Sequence, residues 1–145
     1  MKIKKAKIED VPVVAELACM LWPGHTAVDL QEEILEMVQK ADAAFFLAYR
    51  EKTAIGFAQC QLRRDYVEGT ETTPVGYLEG IYVTEAYRHQ AVAKSLLQAC
   101  EAWAKEKGCT EFASDCELEN EKSLQFHLHA GFEEVNRIIC FVKKI

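Results

Sequence analysis

A chain of 145 residues, half of them hydrophobic and 28% charged, can bury one sizeable core, which excludes disordered and low-complexity classes. The net charge of −6 argues against a nucleic-acid-binding face and suits either a cationic ligand or plain solubility. MKIKKAKIED lacks the apolar core of a signal peptide, no apolar run can span a bilayer, and the six cysteines form no C-x-x-C pair. The expectation is therefore a cytoplasmic protein with reduced thiols, no metal site and one domain over residues 1–145, with Cys19, Cys60, Cys100 and Cys140 as small core residues.

Lys2 to Ile8 alternates charged with small or apolar residues, the pattern of a half-buried strand. Glu9 and Asp10 open a helix that tolerates Pro12 in its first turn, and Trp22-Pro23-Gly24-His25 ends it. Val28 to Lys40 carries Leu30, Ile34, Leu35 and Val38 on one stripe and reads as a second helix. Ala44–Tyr49 and Ala54–Leu62 flank a turn at residues 50–53 and predict a hairpin. Arg63 to Pro74 is a polar loop; Gly76 to Val83 is apolar on both faces, as a central strand is. Ala91 to Lys107 is the clearest helix, ended by Gly108. A short strand at Glu111–Cys116 follows, then a helix over Asn120–Ala130 ended by Gly131. Residues 132–136 and 138–143 read as a final hairpin. The order β-α-α-β-β-β-α-β-α-β-β implies an α/β (α+β) architecture, a mixed central sheet with helices on both faces.

Tyr82 to Lys94 runs strand, turn, helix, and a helix N-terminus after a strand offers free N–H groups and a positive dipole end to a phosphate. Small Ala91 and Ala93 permit close approach, and Arg88, His89 and Lys94 add donors; an ordinary turn with solvated basic residues is the plainer reading. Arg88-x-x-Ala91-x-Ala93 resembles the Q/R-x-x-G-x-G/A signature of the GCN5-related N-acetyltransferase superfamily, with Ala91 where glycine is usual. Alanine fits there if φ is negative and costs affinity if φ is positive. Asn120-x-x-Ser123-x-x-Phe126-His127-x-x-Ala130-Gly131-Phe132 resembles that superfamily's N-x-x-A-x-x-x-Y-x-x-x-G-F segment. The resemblance implies acetyl-CoA as cosubstrate, held by Ile81, Tyr82, Val83, the turn Arg88-His89-Gln90-Ala91-Val92-Ala93-Lys94, and Asn120. His127 stands where a tyrosine acid would, unless it is only a surface histidine.

Leu21-Trp22-Pro23-Gly24-His25, Asp65-Tyr66-Val67 with Gly69-Thr70-Glu71 and Pro74-Val75, Leu78-Glu79-Gly80-Ile81-Tyr82-Val83 and Ala113-Ser114-Asp115 together resemble the short-chain branch of the aminoglycoside 6′-N-acetyltransferases. That implies a substrate site of Trp22, His25, Tyr66, Glu79, Asp115 and Asn136. The resemblance also implies a carboxylate at position 136, reaching the substrate across a homodimer interface, which Asn136 lacks. The residues themselves agree in part. Glu79 is a lone carboxylate in an apolar strand, costly without a purpose or a partner such as Arg63 or Arg64. Asp115 is either a site residue or a helix cap, and Trp22 either stacks on a ligand or fills core.

The implied reaction removes a proton from the acceptor ammonium through Glu79 or Asp115, with Glu79 slightly favoured as base. A backbone N–H near Val83 stabilises the oxyanion, and His127 protonates the departing thiolate. No acetyl-enzyme is needed, so Cys116 is not assigned as a nucleophile. Two other readings stay open: an acetyltransferase for another small polyamine or a protein amine, and a non-catalytic acyl-CoA-binding module.

Overall fold

The structure, a computed structural model, describes residues 1–145. Its elements are β1 (Lys2–Lys5), α1 (Val11–Leu21), α2 (Ala27–Val38), β2 (Ala43–Arg50), β3 (Thr53–Arg63), β4 (Val75–Val83), α3 (Val92–Glu106), β5 (Phe112–Ser114) and α4 (Glu121–His129). The five strands lie in sequence order in one sheet, antiparallel from β1 to β4 and parallel between β4 and β5.

Both faces of the sheet are covered, which is why β2 is apolar at successive positions rather than alternate ones. Phe45, Leu47 and Phe57 turn towards Val14, Leu17, Leu30 and Ile34 of α1 and α2. Ala44, Phe46, Ala58 and Leu78 turn towards α3, whose buried Val92, Leu96, Leu97, Cys100, Trp103 and Ala104 follow helical spacing. The helix starts obey their capping residues: Thr26 Oγ accepts from the Asp29 N–H at 3.1 Å to open α2, and Asn120 Oδ1 accepts from the Ser123 N–H at 3.1 Å to open α4. No helix is long and apolar enough to cross a membrane.

Two irregularities shape the centre of the sheet. Gln59 pairs with Gly80 but Cys60 pairs with Leu78, so Glu79 has no residue opposite it and bulges out of the ladder. β5 pairs with β4 only from Gly76 to Leu78 and stops at Ser114, while β4 runs on to Val83. Residues 79–83 therefore border an open fork between β4 and the segment after β5.

The carboxy-terminal segment corrects the sequence reading. Residues 132–136 and 138–143 form no strand, and Val135, Ile138, Ile139, Phe141, Val142 and Ile145 are exposed. Cys140, expected in the core, is exposed with them, and Cys19 is only half-buried; Cys60 and Cys100 are buried as expected. The apolar alternation in this tail is real, but no strand edge of the same chain takes it up.

Candidate active site

The bulge places the chemistry. Glu79 and Gly80 both face the α1–α2 side, and a Cβ on Gly80 would lie 2.6 Å from the Trp22 ring, so glycine is required for that indole to pack there. Trp22, at the C-terminus of α1, meets Phe57 edge-on at 6.1 Å. The same indole lines an open cavity with His25 and Glu79. It is both packed and available to a ligand, so the two readings of the sequence are not exclusive.

Glu79 is not a free carboxylate. The Arg63 guanidinium donates to both oxygens, at 2.6 Å to Oε1 and 2.8 Å to Oε2, and the Glu79 side chain is only 15% exposed. Arg63 also stacks on the Tyr77 ring at 3.5 Å. The Tyr77 hydroxyl donates to Asp115 Oδ2. Burial first, then this bond, pushes the Tyr77 phenol well above its usual range, so it remains a donor throughout physiological pH. The result is a stripe across β3, β4 and the end of β5: Glu79, Arg63, Tyr77, Asp115. Asp115 caps no helix; it is exposed just beyond β5, with Oδ1 free. Arg63 and Tyr77, which join the two candidate carboxylates, were not singled out in the sequence. Arg63 was visible only as one of two possible partners for Glu79, and Tyr77 looked like strand core.

On the far side of the fork, α3 begins without a side-chain cap. Ala91 adopts φ 64° and ψ 15°, and His89 has φ 61°, so left-handed backbone turns the chain into the helix. Such a turn leaves first-turn N–H groups converging on solvent, the geometry that takes up a phosphate. His89, Gln90, Ala91 and Lys94 are exposed around it, while Val92 is buried beneath. Arg88 is committed locally: its Nε donates to the Val83 carbonyl at 2.8 Å, tying the turn to the strand end. The residues present fit a pyrophosphate at the α3 N-terminus and an extended arm along Ile81, Tyr82 and Val83 of the unpaired β4 edge. Asn120, expected beside that arm, spends its side-chain oxygen on capping α4.

His127 is held at both ring nitrogens. Nδ1 lies 2.7 Å from the Ser123 carbonyl and Nε2 lies 2.7 Å from Ser114 Oγ, at the point where β5 stops pairing. With Nδ1 donating to the carbonyl, Nε2 accepts from the Ser114 hydroxyl. The histidine is thus tied to the fork rather than left on the surface of α4.

Tyr66 and Asn136 stand apart from this stripe but together. The Tyr66 hydroxyl donates to Glu68 Oε2 at 3.1 Å, and Asn136 Nδ2 donates to Glu68 Oε1 at 2.8 Å. The tail and the long loop between β3 and β4 are joined through Glu68, a residue the sequence did not single out.

The chain matches the acetyltransferase (GNAT) family over residues 13–132. It is 42% identical over 145 residues to an aminoglycoside N(6′)-acetyltransferase type 1 of Acinetobacter haemolyticus, covering 100% of this chain and 99% of that one. A protein of the same name from Acinetobacter baumannii is 43% identical over 130 residues, 89% of this chain and 88% of its own. Among solved structures, AAC(6′)-Iy in complex with the bisubstrate analogue CoA-S-monomethyl-acetylneamine superposes with a TM-score of 0.95 at 38% identity, covering 99% of this chain and 98% of that one. The uncapped α3 start, the β4–β5 fork and these matches over nearly the whole length agree: this chain belongs to the acetyltransferase (GNAT) family.

Proposed function

We propose that the chain transfers the acetyl group of acetyl-CoA to the 6′-amino group of an aminoglycoside, by direct attack within a ternary complex. The observation that carries the reading is the placement of Glu79 and Asp115 on one side of the β4–β5 fork and of the uncapped α3 N-terminus on the other. An acidic stripe attracts a polycation, and the helix N-terminus attracts a pyrophosphate, so the two substrates are drawn to opposite ends of one opening. The relatives' names and the bisubstrate complex of AAC(6′)-Iy support the same pairing.

Within this reaction the two carboxylates take different parts. Arg63 spans both oxygens of Glu79, so a proton taken up there would break an ion pair; Glu79 serves better as an anion that holds the acceptor's ammonium. Asp115 is oriented by Tyr77 through one oxygen and keeps the other for the proton that the amine must lose. This reverses the order of preference that the apolar setting of Glu79 suggested. The free amine then attacks the thioester carbonyl, and a backbone N–H of the unpaired β4 edge near Val83 stabilises the oxyanion. The C–S bond breaks, the attacking nitrogen gives its remaining extra proton to His127 Nε2, and His127 passes that proton to the departing thiolate at the fork.

Acetyl-CoA as cosubstrate supports a cytoplasmic reaction. The exposed apolar tail supports a homodimer: six large apolar side chains between residues 135 and 145 face solvent on a single copy, and a second copy of this chain is the occupant that would cover them. The functional reading is tested by thiol release with kanamycin and NMR mapping of the product. An acetyl group on the 6′-nitrogen is expected; acetylation at another position, or thiol release with no aminoglycoside at all, refutes the acceptor assigned here.

A further inference from the structure

The end of β5 turns consecutive residues to opposite sides of the sheet. Phe112 packs into the α3 layer, while Ala113 packs with Val75 and Tyr77. Asp115 continues the Ala113 side and meets Tyr77. Ser114 continues the Phe112 side and meets His127 of α4. Neighbouring residues at the apex of the fork thus carry polar groups to its opposite sides. Asp115 has a part in the reaction proposed above, and Ser114 has none.

The hydrogen bonds around His127 define what Ser114 does there. A carbonyl oxygen only accepts, so Nδ1, 2.7 Å from the Ser123 carbonyl, carries the ring proton. Nε2 is then a lone pair, and the Ser114 hydroxyl at 2.7 Å donates to it. The ring is held in this pose by Phe126, edge-on at 5.5 Å, and by Phe132 at 5.1 Å. Ser114 Oγ also lies 3.5 Å from the carbonyl of Leu78, the last β4 residue that pairs with β5. A serine hydroxyl rotates to suit its partners, so the pair has two arrangements. With His127 neutral, the hydroxyl proton points at Nε2. With His127 protonated, Nε2–H donates to Ser114 Oγ, and the hydroxyl proton swings towards Leu78 and the fork. Ser114 Oγ therefore occupies the only ring position through which His127 can exchange a proton with the fork.

We infer that Ser114 is a further catalytic residue, the proton relay between His127 Nε2 and the reacting atoms. After attack, the nitrogen carries one proton more than the amide product. That proton passes to Ser114 Oγ while the hydroxyl proton moves to His127 Nε2. The imidazolium then returns a proton to Ser114 Oγ, and the serine proton passes to the thiolate freed as the C–S bond breaks. One proton has moved from nitrogen to sulfur, and Ser114 and His127 end as they began. No serine ester forms. The relay rests on the acetyl-transfer reading of the site and gives Ser114 the donor side of the step that Asp115 begins on the acceptor side.

Steady-state kinetics with acetyl-CoA and kanamycin in mixtures of H2O and D2O test it on the wild type, Ser114→Ala and Ser114→Thr. The wild-type kcat should fall with deuterium content along a curve, because more than one proton moves in the step. Ser114→Ala should lose kcat by on the order of a hundredfold, with both KM values within about twofold, and its residual rate should fall along a straight line. Ser114→Thr keeps the hydroxyl and should recover kcat to within about fivefold, with the curve. Ser114→Ala gives up a single side-chain hydrogen bond, so its Tm should drop by only a few degrees. A hydroxyl that merely packs would change kcat without straightening the curve. An unmoved kcat in Ser114→Ala, a curve that survives that substitution, or an equal loss in Ser114→Thr overturns the relay and leaves acetyl transfer standing. A wild type that acetylates neither kanamycin nor any other amine refutes the acetyl-transfer reading and the relay with it.

Discussion

Replacing Ala91 by glycine should stabilise the protein. Ala91 sits at φ 64° and ψ 15°, the left-handed region, at the start of the longest helix. An L residue with a Cβ costs roughly 1–2 kcal/mol there relative to glycine. Glycine gives back about 0.4–1 kcal/mol through the greater freedom of the unfolded chain. The balance is a gain of about 0.5–1 kcal/mol, which for a chain of this size raises Tm by about 2–3 °C. The measurement is thermal unfolding of wild type and Ala91→Gly, without and with acetyl-CoA. The apo gain should persist with cosubstrate, and saturating acetyl-CoA should raise both melting points further by mass action. Ala91→Asp provides the opposite sign: a carboxylate placed among the first-turn N–H groups repels the pyrophosphate, and the acetyl-CoA shift should shrink. A lower melting point for Ala91→Gly would show that residue 91 is not left-handed. An undiminished acetyl-CoA shift in Ala91→Asp would show that the cosubstrate binds elsewhere.

The two carboxylates should separate in kinetics: Asp115→Asn loses kcat by on the order of a hundredfold, while Glu79→Gln chiefly raises the aminoglycoside KM, and near-normal constants in both would remove them from the site. Arg63→Met should also raise that KM, because Glu79 loses the guanidinium that fixes its orientation, and an unchanged value would show that the ion pair is incidental. Acid stability should depend on Asp10. Burial pushes its carboxyl up, but the Lys7 N–H at 2.8 Å and the Lys4 ammonium at 3.0 Å outweigh that and hold it below its usual value. A lowered carboxylate contributes stability above the unfolded value, near pH 4, and that contribution is lost as pH falls through the folded value. Asp10→Asn should therefore lower Tm at pH 7 by a few degrees and flatten its fall below about pH 4; identical profiles would refute the role.

Where a residue broke a local rule, it was legible as a candidate. Glu79 stood out as a carboxylate in an apolar strand, and the α3 turn stood out through its small residues and its position after a strand. The elements were legible for the same reason: α3 and α2 show their buried stripes directly in sequence spacing. What could not be read was set by long-range contact. The partner of Glu79 lies 16 positions away and Asp115 meets Tyr77 across 38, separations at which no local pattern chooses among several arginines or tyrosines. The backbone of Ala91 was unreadable because alanine at that position is compatible with either sign of φ until the turn is seen. The tail failed differently. Its alternating apolar residues do predict strand, but a strand needs an edge to pair with, and periodicity cannot say whether that edge belongs to the same copy.

The bulge opposite Gln59 and Cys60 would let one short stretch of β4 serve both substrates of the proposed reaction. Without it, Glu79 and Gly80 would point to opposite faces, as consecutive strand residues do. One would then lose either the carboxylate from the α1–α2 side or the gap into which Trp22 packs. With it, Glu79 joins Arg63 and the cavity lined by Gln59, while the next residues, 81–83, resume the alternation and leave a backbone edge free along the fork. In the proposed reaction the acceptor and the acetyl donor would approach β4 from different sides at adjacent residues. That is the arrangement direct transfer requires, because an amine on one side and a thioester on the other meet without a protein nucleophile between them. Three of the six thiols are packing residues: Cys60, Cys100 and Cys109 are buried in the α3 layer, and burial raises the Cys109 thiol above its usual value, which suits packing rather than attack.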